Sequence, residues 1–451
     1  MSDRVAIVGA GLTGALLATM LGQRGYQVAV YDRRPDPRAV GAERGRSINL
    51  AISTRGLTAL QQVGLEEVVL DRAILMRGRM IHTAEGTEDF QPYSADGERG
   101  INSISRGELN AVLLDAAERL PGVSLHFEHR LTAMDVDQRR MSFAGPHGAV
   151  DVDADAVIGA DGAFSVVRRA LQGRDGFDYS QDYLSHSYRE LAIPPVDGDY
   201  ALDPGALHIW PRGASMMIAL PNLDRSFTAT LFWPRKGPGS FDEIDTPEKA
   251  RRYFDDNYPD ASELMPDLEE DYRLNPIGSL LTVRCSPWNA GGVALIGDAA
   301  HAICPFYGQG ANAGSRTASS SSRSWTSTRA AGSLRSPPTR GSASPRATPS
   351  PTSRCTTSSR CATRSIPPRT GHCTPPSSCC TVPWATATRP ATRWSRSARF
   401  PTPRSSRRSA SSAPQQDSLP PPVSRHWPGS ASPHGVARPT LLDRRTADHG
   451  Y

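Results

Sequence analysis

The chain has 451 residues, which allows two or three domains, but its charge divides it at Ser315. Residues 315–451 contain 21 arginines, three aspartates and neither lysine nor glutamate, a net charge of +18, whereas residues 1–314 carry a net charge of −13. Residues 1–314 hold two cysteines, begin without a basic leader and contain no apolar run near the ~20 residues of a membrane span. We therefore expect a cytoplasmic protein with no disulfide framework and no transmembrane segment.

The first 32 residues have the pattern of a dinucleotide-binding βαβ unit. A β-branched run enters a glycine turn, an apolar run with helical spacing follows, and VAVYD forms a second buried strand. Gly9, Gly11 and Gly14 have G-x-G-x-x-G spacing, which permits a tight turn, close approach of a pyrophosphate and close helix–strand packing. Asp32 would accept a hydrogen bond from a ribose hydroxyl. The unit predicts a dinucleotide but leaves FAD and NAD(P) as alternatives.

A strand carrying two arginines is predicted in the segment ILMRGRMIHT, residues 74–83. Arg77 and Arg79 are two residues apart and hence lie on one face. Two like charges on one face indicate either solvent or a carboxylate or phosphate that neutralises them.

A helix and several short strands are predicted next. Ser105 and Glu108 have capping-box spacing before an apolar-periodic run, so a helix should begin there. Short strands follow over residues 125–143. His126 and His129 have odd spacing on such a strand, which would put them on opposite faces, so we assign no metal.

The segment DAVIGADGAFSVVRR, residues 155–169, predicts a buried strand, a turn at Asp161 and a short basic helix. One interpretation is an ordinary Asp-Gly turn. The alternative is a phosphate-facing loop, which is favoured by the position after a second apolar strand and by the basic start of the helix.

Alternating apolar and polar runs over residues 179–284 predict antiparallel strands, and Thr246-Pro247-Glu248 predicts the start of a helix that runs through about Tyr253. The pattern leaves open whether the aromatic and methionine side chains of the strands form an ordinary core or the wall of an apolar pocket. These side chains are Trp210, Met216, Met217, Phe227, Phe232 and Trp233.

The stretch Gly292–Gly314, GVALIGDAAHAICPFYGQGANAG, combines a buried strand, an aspartate and a glycine-rich turn. Asp298 directly follows the strand, where it can bond a ribose hydroxyl. The glycines after it should open a helix whose positive dipole end can face a developing anion.

Three motifs occur in this order along the chain: G-x-G-x-x-G from Gly9, the Asp-Gly pair at Asp161 and GDAAH from Gly297. Together they resemble the single-component flavoprotein aromatic hydroxylases. The strings GRSINLA, MRGRMIH, HIWPR, MMIALPN and GDAAHA look like the members of that family that hydroxylate kynurenine, and the likeness covers residues 1–314. The resemblance implies an α/β fold with a Rossmann-like FAD-binding domain in two parts, residues 1–178 and 285–314. An antiparallel-sheet substrate domain, residues 179–284, is inserted between them, and residues 315–451 form a low-complexity, disordered basic tail.

The resemblance also implies the site. FAD would be bound by Gly9, Gly11, Gly14, Asp32, Arg33, Ala51, Arg106, Leu131, Asp161, Asp298, Gly310, Ala311 and Asn312. Arg79 and Tyr93 match the family's clamp on the substrate carboxylate, which agrees with an arginine fork that seeks a carboxylate.

The implied reaction uses NADPH as co-substrate to reduce the flavin, and O2 then forms a flavin C4a-hydroperoxide. Its terminal oxygen passes to the ring carbon of L-kynurenine ortho to the amine, giving 3-hydroxykynurenine. No nucleophile, metal or acid–base pair is required from the protein, which supplies positioning and a dry cavity. The alternative substrate is another aromatic amino acid or a phenol.

Residues 315–451 permit two interpretations. One is a basic tail that binds nucleic acid or other anions. The other is loss of one nucleotide at Gly314, after which each displayed residue fixes the last two bases of a hidden codon. Decoded in this way, SRTASSSSRSWT permits the amphipathic FEDGLVLVEVLD, and TTSSRCA permits HNFVEMR, which resembles the family's N-Y-x-E-M-R segment.

We favour the shifted frame and expect no nucleic-acid partner. The helix after the glycine turn would then be cut after its first turn. The substrate-side Asn and Met of the family would be replaced at Thr357 and Cys361, and the chain would be a defective hydroxylase.

Overall fold

The computed structural model describes residues 4–40 and 49–330, and the structural statements below concern these ranges. Most of the predicted tail, with Thr357 and Cys361, lies outside them. The strands of the described ranges are β1 (Arg4–Val8), β2 (Gln27–Tyr31), β3 (Asn49–Ile52), β4 (Ile74–Met76), β5 (Gly78–His82), β6 (Glu88–Pro92), β7 (Ile101–Ser105), β8 (Val123–His126), β9 (Arg130–Asp135), β10 (Arg140–Gly145), β11 (Gly148–Asp153), β12 (Ala156–Gly159), β13 (Asp178–Ile193), β14 (Ala206–Arg212), β15 (Ser215–Pro221), β16 (Phe227–Pro234), β17 (Gly278–Ser286), β18 (Asn289–Ala290) and β19 (Val293–Leu295). The helices there are α1 (Leu12–Gly22), α2 (Pro37–Val40), α3 (Thr54–Gln61), α4 (Glu66–Leu70), α5 (Arg106–Glu118), α6 (Val166–Gln172), α7 (Pro247–Asn257), α8 (Pro259–Ser262), α9 (Leu268–Leu274), α10 (Asp298–His301) and α11 (Gly310–Ala330).

A six-stranded sheet, in the order β18-β19-β12-β1-β2-β8, carries the three glycine motifs. Its inner strands are parallel and covered on both faces, which is why they read as continuous apolar runs. One face packs on α1, α5 and α11, and the other on α6 and the three-stranded sheet β11-β10-β9. The predicted βαβ unit is therefore confirmed as β1-α1-β2.

A seven-stranded sheet, in the order β17-β13-β16-β15-β14-β5-β6, forms the second layer system. Helices α7, α8 and α9 cover one of its faces. The predicted antiparallel strands are present, and the sheet also takes β5 and β6 from residues 78–92. Helix α7 begins as predicted, with Pro247 at its first position and the Thr246 hydroxyl accepting from the Lys249 N–H at 3.3 Å, but it runs on to Asn257.

The predicted strand over residues 74–83 is wrong in one respect, because it is two strands separated by Arg77. β4 pairs with β7 in a small sheet with β3, whereas β5 pairs with β14 and β6 in the seven-stranded sheet. The chain thus passes from one sheet to another within a single apolar run, which periodicity alone does not reveal. Arg77 and Arg79 are both exposed, but because Arg77 lies between the two strands, strand alternation does not put them on one face.

The predicted capping box is only partly correct. Helix α5 begins at Arg106 after Ser105, but the Ser105 side chain makes no capping hydrogen bond. Ser105 is also the last residue of β7, and its extended backbone continues the strand to the helix.

The predicted separation of His126 and His129 is wrong. β8 ends at His126, and Glu128 has a positive φ of 58°, so the chain turns and the two rings lie 5.8 Å apart, with His126 stacked on Tyr31. Strand alternation does not apply beyond the strand end.

The expected end of the last helix after one turn is also wrong, because α11 runs from Gly310 to Ala330. It packs on α1 and α3. Of the helices in the described ranges, none has the length and apolar character needed to cross a membrane.

Candidate flavin site and substrate face

The first two motifs touch each other at the carboxyl ends of β1 and β12. Gly9 has a φ of 110°, and a Cβ there would overlap the Ala160 carbonyl oxygen and lie 2.9 Å from the Asp161 nitrogen. A Cβ on Gly14 would overlap the Gly9 carbonyl oxygen. These glycines are therefore required by packing within the protein.

The third motif joins them through Thr13, which sequence reasoning did not single out. A Cβ on Gly297 would lie 2.8 Å from the Thr13 Oγ1, and a Cβ on Gly314 would overlap the same oxygen. Thr13 lies inside the G-x-G-x-x-G turn, so the start of α1 contacts both ends of the Gly292–Gly314 stretch. The three motifs form one site.

Gly11 and Gly310 differ from these glycines because, among the described residues, a Cβ on either would meet no atom within 4 Å. Both stand where the chain enters a helix, α1 and α11 respectively, so both helix N-termini face open space. A pyrophosphate needs such an approach to backbone N–H groups, and helix dipoles favour its negative charge. We call the open space at Gly11 and Gly310 the cradle, and its exposed helix N-termini fit the FAD that the resemblance implies.

Asp32 directly follows the last residue of β2, beside this cradle, and is 7% exposed. Its Oδ2 accepts from the Ala10 N–H at 2.9 Å and its Oδ1 from the Arg34 N–H at 2.9 Å. Burial would raise the pKa of Asp32, but the hydrogen bonds and charge of Arg34 outweigh it, and the pKa lies below its ordinary value. The carboxylate is ionised at the glycine turn, with exposed Arg33 next to it.

Asp298 and Arg106 have accessible side chains at helix starts. Asp298 is exposed within a run of buried residues after β19, and Arg106 is exposed at the first position of α5. Asp161 is placed differently. Its carboxylate accepts hydrogen bonds from the Val166 N–H at 2.7 Å and from the Ser165 hydroxyl, so it caps the start of α6. Burial raises the pKa of this carboxyl group.

Asn312 is a brace between three segments. It is 1% exposed, its Oδ1 accepts from the Ser53 N–H at 3.1 Å, and its Nδ2 donates to the Ala51 carbonyl at 2.9 Å and the Gly308 carbonyl at 3.1 Å. Both N–H groups of the amide and one acceptor position of its oxygen are therefore used by hydrogen bonds within the protein. Sequence reasoning placed Asn312 near the flavin but missed this bridging role, which has no local signal.

The other predicted cofactor residues are placed by their surroundings. Ala51 is half-buried against Gly308, and Ala311 is half-buried against the core beside α1. Leu131 is 6% exposed, with its side chain in the core with Phe143. Of Leu131, only the backbone could serve a ligand.

The register of the seven-stranded sheet puts the predicted substrate residues on one face. Side chains paired across neighbouring strands point the same way, as do residues two apart on one strand. Arg79 on β5 and Phe232 on β16 are each two residues from a member of one paired row. That row is Ile81, Ile209, Ile218 and Thr230. Arg79 and Phe232 therefore share a face, three strand spacings (about 14 Å) across the sheet and four residues (about 13 Å) along it, or roughly 19 Å apart between backbones.

The charge of Arg79 acts on Tyr93, the other residue of the predicted clamp. Burial raises the pKa of the Tyr93 hydroxyl, and the positive charge of Arg79 opposes the rise. The Tyr93 N–H also donates to the Arg77 carbonyl at 2.9 Å, which fixes the turn after β6 against β5. Arg79 and Tyr93 are therefore near enough, at the β5–β6 edge of the sheet, for the charge of one to act on the hydroxyl of the other.

Aromatic rings stand at the other end of the same face. Phe232 packs edge-on against Phe306 with 5.3 Å between ring centroids, and Tyr188 is its cross-strand partner. Phe306 belongs to the turn that leads into α11, so this wall connects the sheet with the open space at Gly310.

The core interpretation is confirmed for one face of the sheet, and the pocket-wall interpretation stays a prediction for the other. Trp210, Met217, Phe227 and Trp233 are fully buried in the core under α7, α8 and α9. Met216 pairs with Phe232 on the opposite face, toward Phe306.

A buried histidine pair on the helix-covered face was missed. His82 Nε2 lies 2.8 Å from His208 Nδ1, His208 Nε2 lies 2.9 Å from the Asp203 carbonyl, and His82 Nδ1 lies 3.3 Å from Asp260 Oδ2. The carbonyl only accepts, so neutral His208 donates from Nε2 and accepts from His82. Burial lowers the pKa of His208 to about 4. The strings MRGRMIH and HIWPR each contain one of these histidines, but nothing in either indicates the other.

Comparison with known proteins gives relatives over the same part of the chain. The protein family described as FAD binding domain matches residues 3–320. Kynurenine 3-monooxygenase of Myxococcus xanthus is 48% identical over 325 residues, covering 69% of this chain and 68% of the relative. Kynurenine 3-monooxygenase of Dictyostelium discoideum is 46% identical over 315 residues, covering 69% of this chain and 68% of the relative.

Solved structures share the fold. A p-nitrophenol 4-monooxygenase from Pseudomonas putida has a TM-score of 0.59 at 20% identity, covering 74% of this chain and 81% of that chain. A tetrameric 2-methyl-3-hydroxypyridine-5-carboxylic acid oxygenase has a TM-score of 0.58 at 21% identity, covering 72% and 82%.

The family match resolves the alternative left by the βαβ pattern in favour of FAD. It covers more than half of the chain, and the curated relatives are nearly half identical over more than two thirds of their length. The chain belongs to the kynurenine 3-monooxygenase family of FAD-dependent enzymes.

Proposed function

We propose that residues 1–314 form the FAD and substrate sites of a hydroxylase that converts L-kynurenine to 3-hydroxykynurenine with NADPH and O2. The observation that carries the proposal is the shared sheet face, with Arg79 and Tyr93 at one end and Phe232 and Phe306 at the other. Kynurenine has a carboxylate at one end and an aromatic ring at the other, which matches this order of charge and apolar surface. The kynurenine 3-monooxygenase relatives support the same substrate.

The protein residues hold and orient the two ligands. The backbone at Gly11 and Gly310 would receive the cofactor, Asp32 and Asp298 would accept from its hydroxyl groups, and Arg106 would contribute positive charge. FAD, when bound and reduced by NADPH, supplies the chemistry that activates oxygen. Asp161 and Asn312 act through the turns they fix rather than through their own polar atoms.

Substrate orientation follows from the same face. The Arg79 guanidinium can form two parallel hydrogen bonds to a carboxylate, and the Tyr93 hydroxyl can donate a third. The rings of Phe232 and Phe306 would hold the substrate ring by the turn that opens α11 and exclude water from it. A phenol has no carboxylate for Arg79, which favours the amino acid.

We place this reaction in the cytoplasm. The described part of the chain has two cysteines, Cys285 and Cys304, both free. Burial raises the pKa of Cys285 to about 11, so its thiol stays protonated. Small molecules are the proposed partners, with no nucleic acid among them.

The test is turnover by protein reconstituted with FAD. Kynurenine should accelerate NADPH oxidation with 3-hydroxykynurenine as product, and Arg79→Met should raise KM for kynurenine roughly ten- to hundredfold because a charged hydrogen-bond partner is lost. Arg77→Met, two residues away and equally exposed, is the matched control and should leave KM within about twofold.

Two outcomes would contradict the proposal. Stimulation by phenols and not by kynurenine would assign another substrate class. Equal effects of the Arg79 and Arg77 substitutions would remove Arg79 from the clamp.

A further inference from the structure

The inner face of α11 is polar where the fold requires apolar side chains. Thr317, Ser319 and Ser322 are 5%, 5% and 0% exposed, and Ala318 is the one side chain of residues 315–324 that belongs to the apolar core. The Ser322 hydroxyl donates back to the Ser319 carbonyl at 3.0 Å. Buried hydroxyls and serine back-bonding disfavour a helix. The position of α11 on α1 and α3 is therefore poorly matched to its own residues.

The shifted reading frame supplies the matching residues. A serine codon of the form TCN always hides NTC, which encodes Phe, Leu, Ile or Val whatever its first base. Buried positions 319 and 322 then become apolar. The exposed positions of this stretch are Arg316 and Arg323, and an AGG codon at either would hide Glu, Lys or Gln. At positions 316, 319, 322 and 323 the shifted frame thus permits the residue types that the burial of the helix calls for.

Position 317 is a buried site that the shifted frame makes polar or aromatic. A threonine codon, ACN, hides Asp, Asn, His or Tyr, and each of these can accept a hydrogen bond. In the structure the Thr317 Oγ1 accepts from the Gly297 N–H at 3.3 Å. Gly297 has a φ of 58° and directly precedes Asp298, so this contact holds the turn that presents Asp298.

We propose that α11 occupies the position of a helix that belongs to this fold, and that the residues proper to that helix are encoded in the reading frame shifted by one nucleotide. In that helix positions 319 and 322 are apolar, and an acceptor at position 317 fixes the Gly297–Asp298 turn as a positioning residue for FAD. The part that concerns FAD rests on the proposed function. The part that concerns packing does not.

The packing part is tested on the full-length protein without cofactor by urea unfolding. Ser319→Leu combined with Ser322→Val should shift the unfolding midpoint to higher urea, because apolar groups replace buried hydroxyls. Arg316→Glu changes an exposed position to a residue that the other frame permits and should leave the midpoint unchanged; Arg323 is unsuitable as a control because its guanidinium donates to the Ser319 hydroxyl at 2.7 Å. A lower midpoint for the double variant, with that of Arg316→Glu unchanged, would overturn the proposal.

The positioning part is tested by FAD titration followed by flavin fluorescence. Thr317→Val keeps the shape but removes the acceptor and should weaken FAD binding severalfold, whereas Thr317→Asp restores an acceptor and should bind at least as tightly as the unsubstituted protein. Equal FAD affinity for Thr317→Val and the unsubstituted protein would overturn it. A higher urea midpoint in protein that binds neither FAD nor kynurenine would refute the proposed function and leave the packing part of this inference standing.

The gene gives a third test. Inserting one base pair after codon 314 should open a frame with apolar codons at positions 319 and 322 and no stop before codon 330. A stop codon within those sixteen codons would contradict the shifted frame.

Discussion

At the residue scale, Asn312 shows how one side chain can organise a binding turn without facing the ligand. Its amide joins Ser53 and Ala51 of the β3–α3 connection to Gly308 of the turn before α11. Asn312 is 1% exposed and its three partners are half-buried, so removing the amide leaves these groups with restricted access to water.

Asn312→Ala should therefore lower the free energy of unfolding by about 2–4 kcal/mol. Urea unfolding of the cofactor-free protein measures it. Asn102→Ala is the matched control, because Asn102 is 7% exposed but makes a single long hydrogen bond, 3.4 Å to the Ile52 carbonyl. If both substitutions lower the free energy equally, the bridging account of Asn312 is wrong.

Individual residues also mark the limit of what the sequence could predict. Gly9, Gly11 and Gly14 were recognised from spacing because a glycine turn has a local pattern. Their different roles could not be recognised from spacing. Gly14 packs on the Gly9 carbonyl and Gly11 borders open space, and both surroundings exist only in the folded chain. Thr13 carried no signal at all, because its contacts with Gly297 and Gly314 join residues almost three hundred positions apart.

At the element scale, strand register produces the proposed substrate face. β5 and β16 come from distant parts of the chain, and only the pairing through β14 and β15 puts Arg79 and Phe232 on one side. The alternating pattern predicted the strands but not which face of each was covered. The split of residues 74–83 at Arg77 shows why, because two strands of different sheets can share one apolar run.

The histidine pair on the other face of β5 and β14 should make stability depend on pH. Burial lowers the pKa of His208 to about 4 in the folded state, whereas an unfolded histidine titrates near 6.5. Between these values the unfolded chain binds the proton and the folded protein does not, so stability falls as the pH is lowered. The loss amounts to about 2 kcal/mol from pH 8 to pH 5.

His208→Gln should remove this part of the pH dependence. The measurement is the free energy of unfolding in urea at pH 8 and pH 5, for the variant and the unsubstituted protein. His147→Gln, in the exposed β10–β11 turn, is the control and should behave like the unsubstituted protein. The same loss between the two pH values in His208→Gln as in the unsubstituted protein would refute the assignment.

At the scale of the whole molecule, two layer systems meet where the site is proposed. The six-stranded sheet brings the three glycine motifs together, and the Asn49 amide donates to the Pro221 carbonyl at 3.2 Å, which ties β3 to the end of β15. Phe306, in the turn that leads into α11, packs against Phe232 on the seven-stranded sheet. The class of fold followed from motif order, but this junction depends on long-range contacts that no local pattern contains.

The central claim is that the three motifs form one FAD site in the folded chain, and Gly11→Ala tests it most directly. A Cβ at Gly11 meets no protein atom within 4 Å, so the cofactor-free variant should unfold at the same urea concentration as the unsubstituted protein. The methyl group would fill the cradle, so FAD affinity in a fluorescence titration should fall at least about tenfold. Gly14→Ala, which overlaps the Gly9 carbonyl, should instead lose stability. Unchanged FAD affinity in a stably folded Gly11→Ala protein would contradict the account.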